Sequence, residues 1–180
     1  MTEFPLQLKP GWNALFVSDW SGNYIDANGS SSELSNSNDR ETFLRLRKSA
    51  DAIVTTGATV RSEKYTKVSY APIYILSASG SIPDSNLGKV LSFAPPIFDQ
   101  LTQQLKTEGH EVFFYEGGPS ILKNIEQTDQ PITIWLTLVG PQTPGGLNEH
   151  ALQNLGFNTS WRLLNTFQDG PNLVTEWHRP

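Results

Sequence analysis

The chain has no cysteine and a single methionine in 180 residues. Without cysteine, disulfides, thiolate metal sites and cysteine nucleophiles are all excluded, and packing alone must hold the fold. No apolar stretch approaches the ~18 residues of a membrane-spanning helix. Positive charge is also in short supply: 13 Lys and Arg face 18 Asp and Glu, leaving a net charge of -5 and a pI near 5.1. The overall field therefore repels nucleic acid and anionic membranes, and any anionic ligand must be met by local groups. The three histidines, His110, His150 and His178, show no metal-ligand spacing. A P-loop with its lysine and a G-x-S-x-G elbow are both missing, which removes the usual supports of kinase and hydrolase chemistry. The opening residues MTEFPLQLKPGW carry an acid and a proline and lack the basic-then-apolar pattern of a signal peptide. A cytoplasmic protein is expected.

A hydrophobic content of 37% over this length supports one substantial core, and residues 1–180 are read as a single domain. Residues 13–18, NALFVS, form a short apolar run suited to a buried strand. A Ser, Asn and Gly-rich loop comes next, over 20–39. Asn38 with Glu41 has the form of a capping box, opening a helix to about Ser49 with Phe43, Leu44 and Leu46 on its apolar side. Asp51–Thr55, Pro72–Leu76, Glu111–Tyr115 and Ile132–Val139 read as strands, with a shorter one over Leu87–Ser92. Ile97, Leu101 and Leu105, spaced by four, mark a second helix stopped by Gly109. A third helix is read over Ser120–Glu126, and a C-terminal hairpin over Trp161–Trp177 turns at Asp169-Gly170-Pro171. This order predicts an α/β fold: a mixed, mostly parallel sheet, helices on both faces, and a C-terminal antiparallel hairpin.

Two segments could carry chemistry. In Tyr115-Glu116-Gly117-Gly118-Pro119-Ser120, two glycines between strand and helix would let backbone approach a pyrophosphate, or they form an ordinary tight turn. In Thr55-Thr56-Gly57-Ala58-Thr59-Val60-Arg61, small hydroxyl residues and an arginine come directly after a strand, where ligands of open α/β sheets collect. Arg61 and Ser77 are candidate contacts for a 2′-phosphate. Trp135, Trp161 and Trp177 are expected in the core, and Trp20, after the first strand, is the exception.

The run Leu34-Ser35 through Asn38-Asp39-Arg40, then Phe43, Arg47, Ala50-Asp51, Thr59-Val60-Arg61, Glu63 and Tyr65, resembles the pyrimidine reductases of riboflavin synthesis in order and spacing. Glu116-Gly117-Gly118-Pro119-Ser120-Ile121-Leu122 is similar to that family's second signature, and Leu136-Thr137 with Gly145-Gly146 resembles its next strand and loop. The resemblance covers most of the chain. It implies a dihydrofolate-reductase-like fold, a homodimer, and NADPH held by Thr56, Gly57, Thr59, Val60, Arg61, Ser77, Gly117, Gly118, Pro119 and Ser120. It implies a ribosylated diaminopyrimidinone phosphate as substrate, the riboflavin intermediate 5-amino-6-(5-phosphoribosylamino)uracil or its analogue. Asp19, Ser21, Arg47, Glu63 and Glu116 would stand on the substrate side. Asp19 and Glu116 are the candidate proton donors, on the expectation that burial beside a ligand raises a carboxyl pKa.

Three departures stand out. The family's Ser-x-Asp-Gly reads Asp19-Trp20-Ser21-Gly22 here, with hydroxyl and carboxylate exchanged. Its Gly-Ala-Gly reads Thr56-Gly57-Ala58, and its Asp-Glu before the strand at Trp135 is replaced by Pro131-Ile132-Thr133-Ile134. Two further readings stand beside the first: a dihydrofolate or pterin reductase on the same fold, and a non-catalytic nucleotide-binding protein whose substrate pocket has drifted.

Overall fold

The structure is a computed structural model, described here for residues 7–24, 31, 34–63, 65–80, 82, 84, 86–92, 98–118, 130–142, 147–158 and 160–180. Eight strands form one sheet: β1 (Gly11–Asp19), β2 (Ala52–Thr56), β3 (Ile73–Ser77), β4 (Lys89–Ser92), β5 (Val112–Glu116), β6 (Ile132–Val139), β7 (Arg162–Asp169) and β8 (Asn172–Arg179). The described helices are α1 (Ser37–Lys48), α2 (Gly57–Ser62), α3 (Phe98–Thr107) and α4 (Glu149–Asn154). Strand order is β4-β3-β2-β5-β1-β6-β8-β7. The first six in that row are parallel, and β8 and β7 add the antiparallel hairpin. This is the expected mixed, mostly parallel sheet.

Side-chain alternation divides the core between the two faces. Trp12, Ala14 and Phe16 of β1, with Phe113 and Tyr115 of β5, pack toward Phe98, Leu101 and Leu105 of α3. Leu15 and Phe114 point the other way, toward Phe43 and Leu46 of α1 and Val60 of α2. α3 ends in a Schellman arrangement: the Gly109 amide donates to the Lys106 carbonyl and the His110 amide to the Leu105 carbonyl, with Gly109 at φ +90°. None of the described helices is long and apolar enough to cross a membrane.

Some expectations need correction. The cap of α1 is Asn36, whose side chain accepts from the amides of Asn38 and Asp39, and Glu41 instead pairs with Arg45 at 2.7 Å. Asn36 wins because its amide also exchanges two hydrogen bonds with Asn172. Leu44 is 38% exposed and does not belong to the buried side of α1. Trp161 is buried but precedes β7. The helix read over Ser120–Glu126, and Ile97, Gly145 and Gly146, lie outside the described residues.

Candidate active site

The parallel strands point their C-terminal ends the same way, and ligands of such sheets bind beyond those ends. Thr56, Ser77, Glu116 and Asp19 are the last residues of β2, β3, β5 and β1. The sheet thus brings the sequence-predicted residues of all four strands to one edge.

At the end of β2, the Thr56 side chain caps α2 by accepting from the Thr59 amide at 3.1 Å, and the two threonine hydroxyls lie 3.0 Å apart. Gly57 is buried, and a Cβ there would fall 3.1 Å from Arg61 Nη1 and 3.2 Å from Ser77 Oγ. Arg61 and Ser77 therefore meet over the glycine: a guanidinium fork and a hydroxyl, the donor set that suits a phosphate. Val60 is turned into the core beside α1, so its side chain serves packing, and only its backbone is available to a cofactor.

At the end of β5, Glu116 is buried among three partners. Arg47 Nε donates to Glu116 Oε1 at 2.5 Å, the Tyr65 hydroxyl donates to Oε2, and Thr55 Oγ1 donates to the Glu116 carbonyl at 2.7 Å. The Arg47 guanidinium lies over the rings of Tyr65 at 5.1 Å and Phe43 at 5.9 Å. Burial pushes the Glu116 carboxyl above its ordinary range, opposed by the Arg47 charge and the bonds from Tyr65 and Arg47. Burial and the neighbouring Glu116 charge push the Tyr65 hydroxyl up, so it stays a proton-bearing donor.

Gly117 serves a packing need in addition to any ligand. A Cβ there would lie 2.2 Å from the Tyr115 hydroxyl oxygen. Gly118 is exposed beyond it, and Pro119 and Ser120 lie outside the described residues.

Asp19 behaves differently from expectation. Its carboxylate accepts from the Ser21 amide at 2.8 Å, the Asn23 amide at 2.9 Å and Asn23 Nδ2 at 2.7 Å. Burial raises its pKa, but these bonds outweigh it and the net direction is down. The expectation of a raised Asp19 pKa is thus reversed, because the residue caps its own turn. That turn is pinned: Trp20 Nε1 donates to the Gly140 carbonyl at 3.1 Å, and Gly22, at φ +86°, packs on Ala151 of α4. Ser21 is exposed, and Glu63 closes α2.

A feature that sequence reasoning misses lies at the start of α1. Asp39 is 3% exposed and accepts from Ser35 Oγ at 2.6 Å through Oδ2. Its Oδ1 and the Thr137 Oγ1 of β6 are both buried and complete no hydrogen bond, although the Thr137 hydroxyl is close enough to steady the Asp39 charge. Burial, and secondarily the charge of Asp169, raises the Asp39 pKa. Asp39 and Thr137 both fall within the segments that carry the family resemblance, but only their approach across the fold shows two unsatisfied polar groups side by side. Among the described residues no cluster of three or more His, Asp or Glu could hold a metal ion.

No protein-family model and no curated protein matches the sequence. Solved structures do match. A pyrimidine reductase-like protein from Corynebacterium diphtheriae superposes with a TM-score of 0.68 at 16% identity, over 94% of this chain and 91% of that one. A deaminase/5-amino-6-(5-phosphoribosylamino)uracil reductase from Thermotoga maritima gives 0.65 at 13% identity, over 95% of this chain and 57% of that one. The chain thus spans little more than half of that bifunctional protein. Dihydrofolate reductase from Schistosoma mansoni gives 0.61 at 15% identity, over 97% and 100%. The strand order, the parallel edge and the C-terminal hairpin are therefore those of the fold that pyrimidine reductases and dihydrofolate reductases share.

Proposed function

We propose that the protein is an NADPH-dependent reductase of a small pyrimidine, with 5-amino-6-(5-phosphoribosylamino)uracil or its analogue as the specific substrate. The observation that carries this reading is the convergence of Gly57, Arg61, Ser77, Glu116, Gly117 and Asp19 on one edge of a reductase-type sheet. NADPH, when bound, supplies the hydride. The Arg61 fork and the Ser77 hydroxyl hold its 2′-phosphate, and Thr59 and the backbone of Gly57, Val60, Gly117 and Gly118 line its path. Asp39 Oδ1 would accept from an amino or ring N–H of the pyrimidine and Thr137 Oγ1 would donate to a ring carbonyl, which completes both groups. Ser21 and Glu63 stand at the rim.

Hydride transfer depends chiefly on holding donor and acceptor carbons in near-attack geometry. The protein's own contribution is thus position more than proton transfer. Asp19 is the weaker proton donor of the two candidates, since its carboxylate is stabilised in charged form. Glu116 is raised by burial but holds Arg47 and Tyr65 as donors to its carboxylate, so water is the better proton source and Glu116 a group of position. Soluble homodimer assembly in the cytoplasm belongs to the same reading, and the exposed Leu163 and Leu164 on the edge strand β7 supply an apolar surface for it.

The test is a titration with NADPH and NADH, monitored by tryptophan fluorescence and calorimetry, and then turnover of the riboflavin intermediate and of dihydrofolate. Saturable binding that favours NADPH and weakens in Arg61→Met is expected, with oxidation by the pyrimidine. NADPH binding without oxidation by either compound favours the non-catalytic nucleotide-binding reading. No binding of either nucleotide ends the oxidoreductase reading.

A further inference from the structure

Two arginines stand near the parallel edge, and their surroundings differ in kind. Arg61 is exposed beside Gly57 and the Ser77 hydroxyl. The Arg47 side chain is 7% exposed and that of Glu116 is 3%. Arg47 spends Nε on Glu116, its plane covers the rings of Tyr65 and Phe43, and Tyr70 stands beside its charge. An arginine placed to receive a phosphate needs donors turned to the ligand and a net positive surrounding. Here one cation and one anion cancel inside an aromatic sleeve. Turning Arg47 toward a phosphate would leave the Glu116 carboxylate buried without its counter-ion, which is among the costliest arrangements in a protein interior.

We propose that Arg47 is the internal counter-ion of Glu116 and, with Tyr65, a positioning residue that fixes the Glu116 carboxylate at the end of β5. This edge then takes its substrate through uncharged donors such as amino, ring N–H or sugar hydroxyl groups, and not by pairing Arg47 with a phosphate. The identity of that substrate as a pyrimidine rests on the reductase reading above; the assignment of Arg47 does not. Of the two arginines, Arg47 is the one consumed by the Glu116 carboxylate.

Ribose 5-phosphate serves as the probe, titrated by calorimetry into the wild type, Glu116→Gln and the Arg47→Met/Glu116→Gln double variant, with NADPH titrated in parallel. The double variant buries no lone charge, so it folds even where Arg47→Met alone does not. Wild type and double variant are expected to bind the probe equally weakly. Glu116→Gln, which strips Arg47 of its counter-ion, is expected to gain on the order of tenfold in affinity. Saturable binding by the wild type that the double variant loses would overturn the assignment, as would no gain in Glu116→Gln. A second readout is the infrared carboxyl band that Glu116→Gln abolishes. In Tyr65→Phe, which removes a donor to the charged form, that band titrates at higher pH than in the wild type. An unchanged midpoint rejects the positioning role of Tyr65. Failure of NADPH to bind any of these proteins removes the reductase reading and leaves the counter-ion assignment to the phosphate result.

Discussion

Gly117 shows how one residue can carry two requirements. A side chain there meets the Tyr115 hydroxyl at 2.2 Å and its ring carbon at 2.6 Å, and Tyr115 is 1% exposed, so it has no room to yield. Gly117→Val is therefore expected to lower thermal stability by about 1–3 kcal/mol with no cofactor present. A melting temperature equal to the wild type would show that the loop relaxes. Loss of NADPH binding in this variant thus does not by itself locate the cofactor, and Arg61→Met is the cleaner probe. Asp39 gives a pH dependence. Its folded pKa is raised, chiefly by burial, so the stability it contributes is complete below the ordinary carboxyl pKa and is lost as pH rises through the raised value. Asp39→Asn keeps the shape and offers an N–H to Thr137, so its urea midpoint should exceed that of the wild type at about pH 8 but not at about pH 4. Parallel pH profiles for the two proteins would rule out Asp39 as the source.

At the scale of elements, the start of α1 is locked to the C-terminal hairpin. Asn36 and Asn172 exchange bonds of 2.7 and 3.0 Å, Thr42 Oγ1 donates to Asp169 at 2.6 Å, and Gly170, at φ +59°, lets the turn close against Asn38. Asn172→Ala leaves the half-buried Asn36 amide half-satisfied and is expected to cost about 1–2 kcal/mol in urea unfolding; no change would mean that water replaces the amide. This lock explains what sequence can and cannot disclose. β6 runs over Ile132–Val139 as expected, because eight consecutive buried residues leave no other period. The cap of α1 sits two residues before the expected one, since Asn36 and Asn38 are equivalent in the chain and only Asn172, more than 130 residues away, distinguishes them. α4 escapes notice because its six residues expose all but Ala151 and part of Leu152. At the site, the strand-end positions are legible from apolar runs that end in glycine. The Arg47–Glu116–Tyr65 cluster is not, because no local pattern joins residues 47, 65 and 116.

For the whole molecule, the exposed edge matters first. β7 ends the sheet with Leu163 at 50% and Leu164 at 46% exposure, and an open edge strand that presents two leucines invites pairing with another chain. Leu163→Glu with Leu164→Glu is expected to convert a dimer to a monomer in sedimentation, with little loss of fold; a wild-type protein that sediments as a monomer would remove the dimer. The other whole-molecule property lies in α1. Its buried residues include Asp39 near the first turn and Arg47 near the last. They lie eight positions apart, about 12 Å along the axis. One faces Thr137 of β6 and the other Glu116 of β5. The helix is thus a ruler laid against one face of the sheet. Any tilt of the helix would move the two marks together, so a shift at the Asp39 end is felt at the Arg47–Glu116 pair.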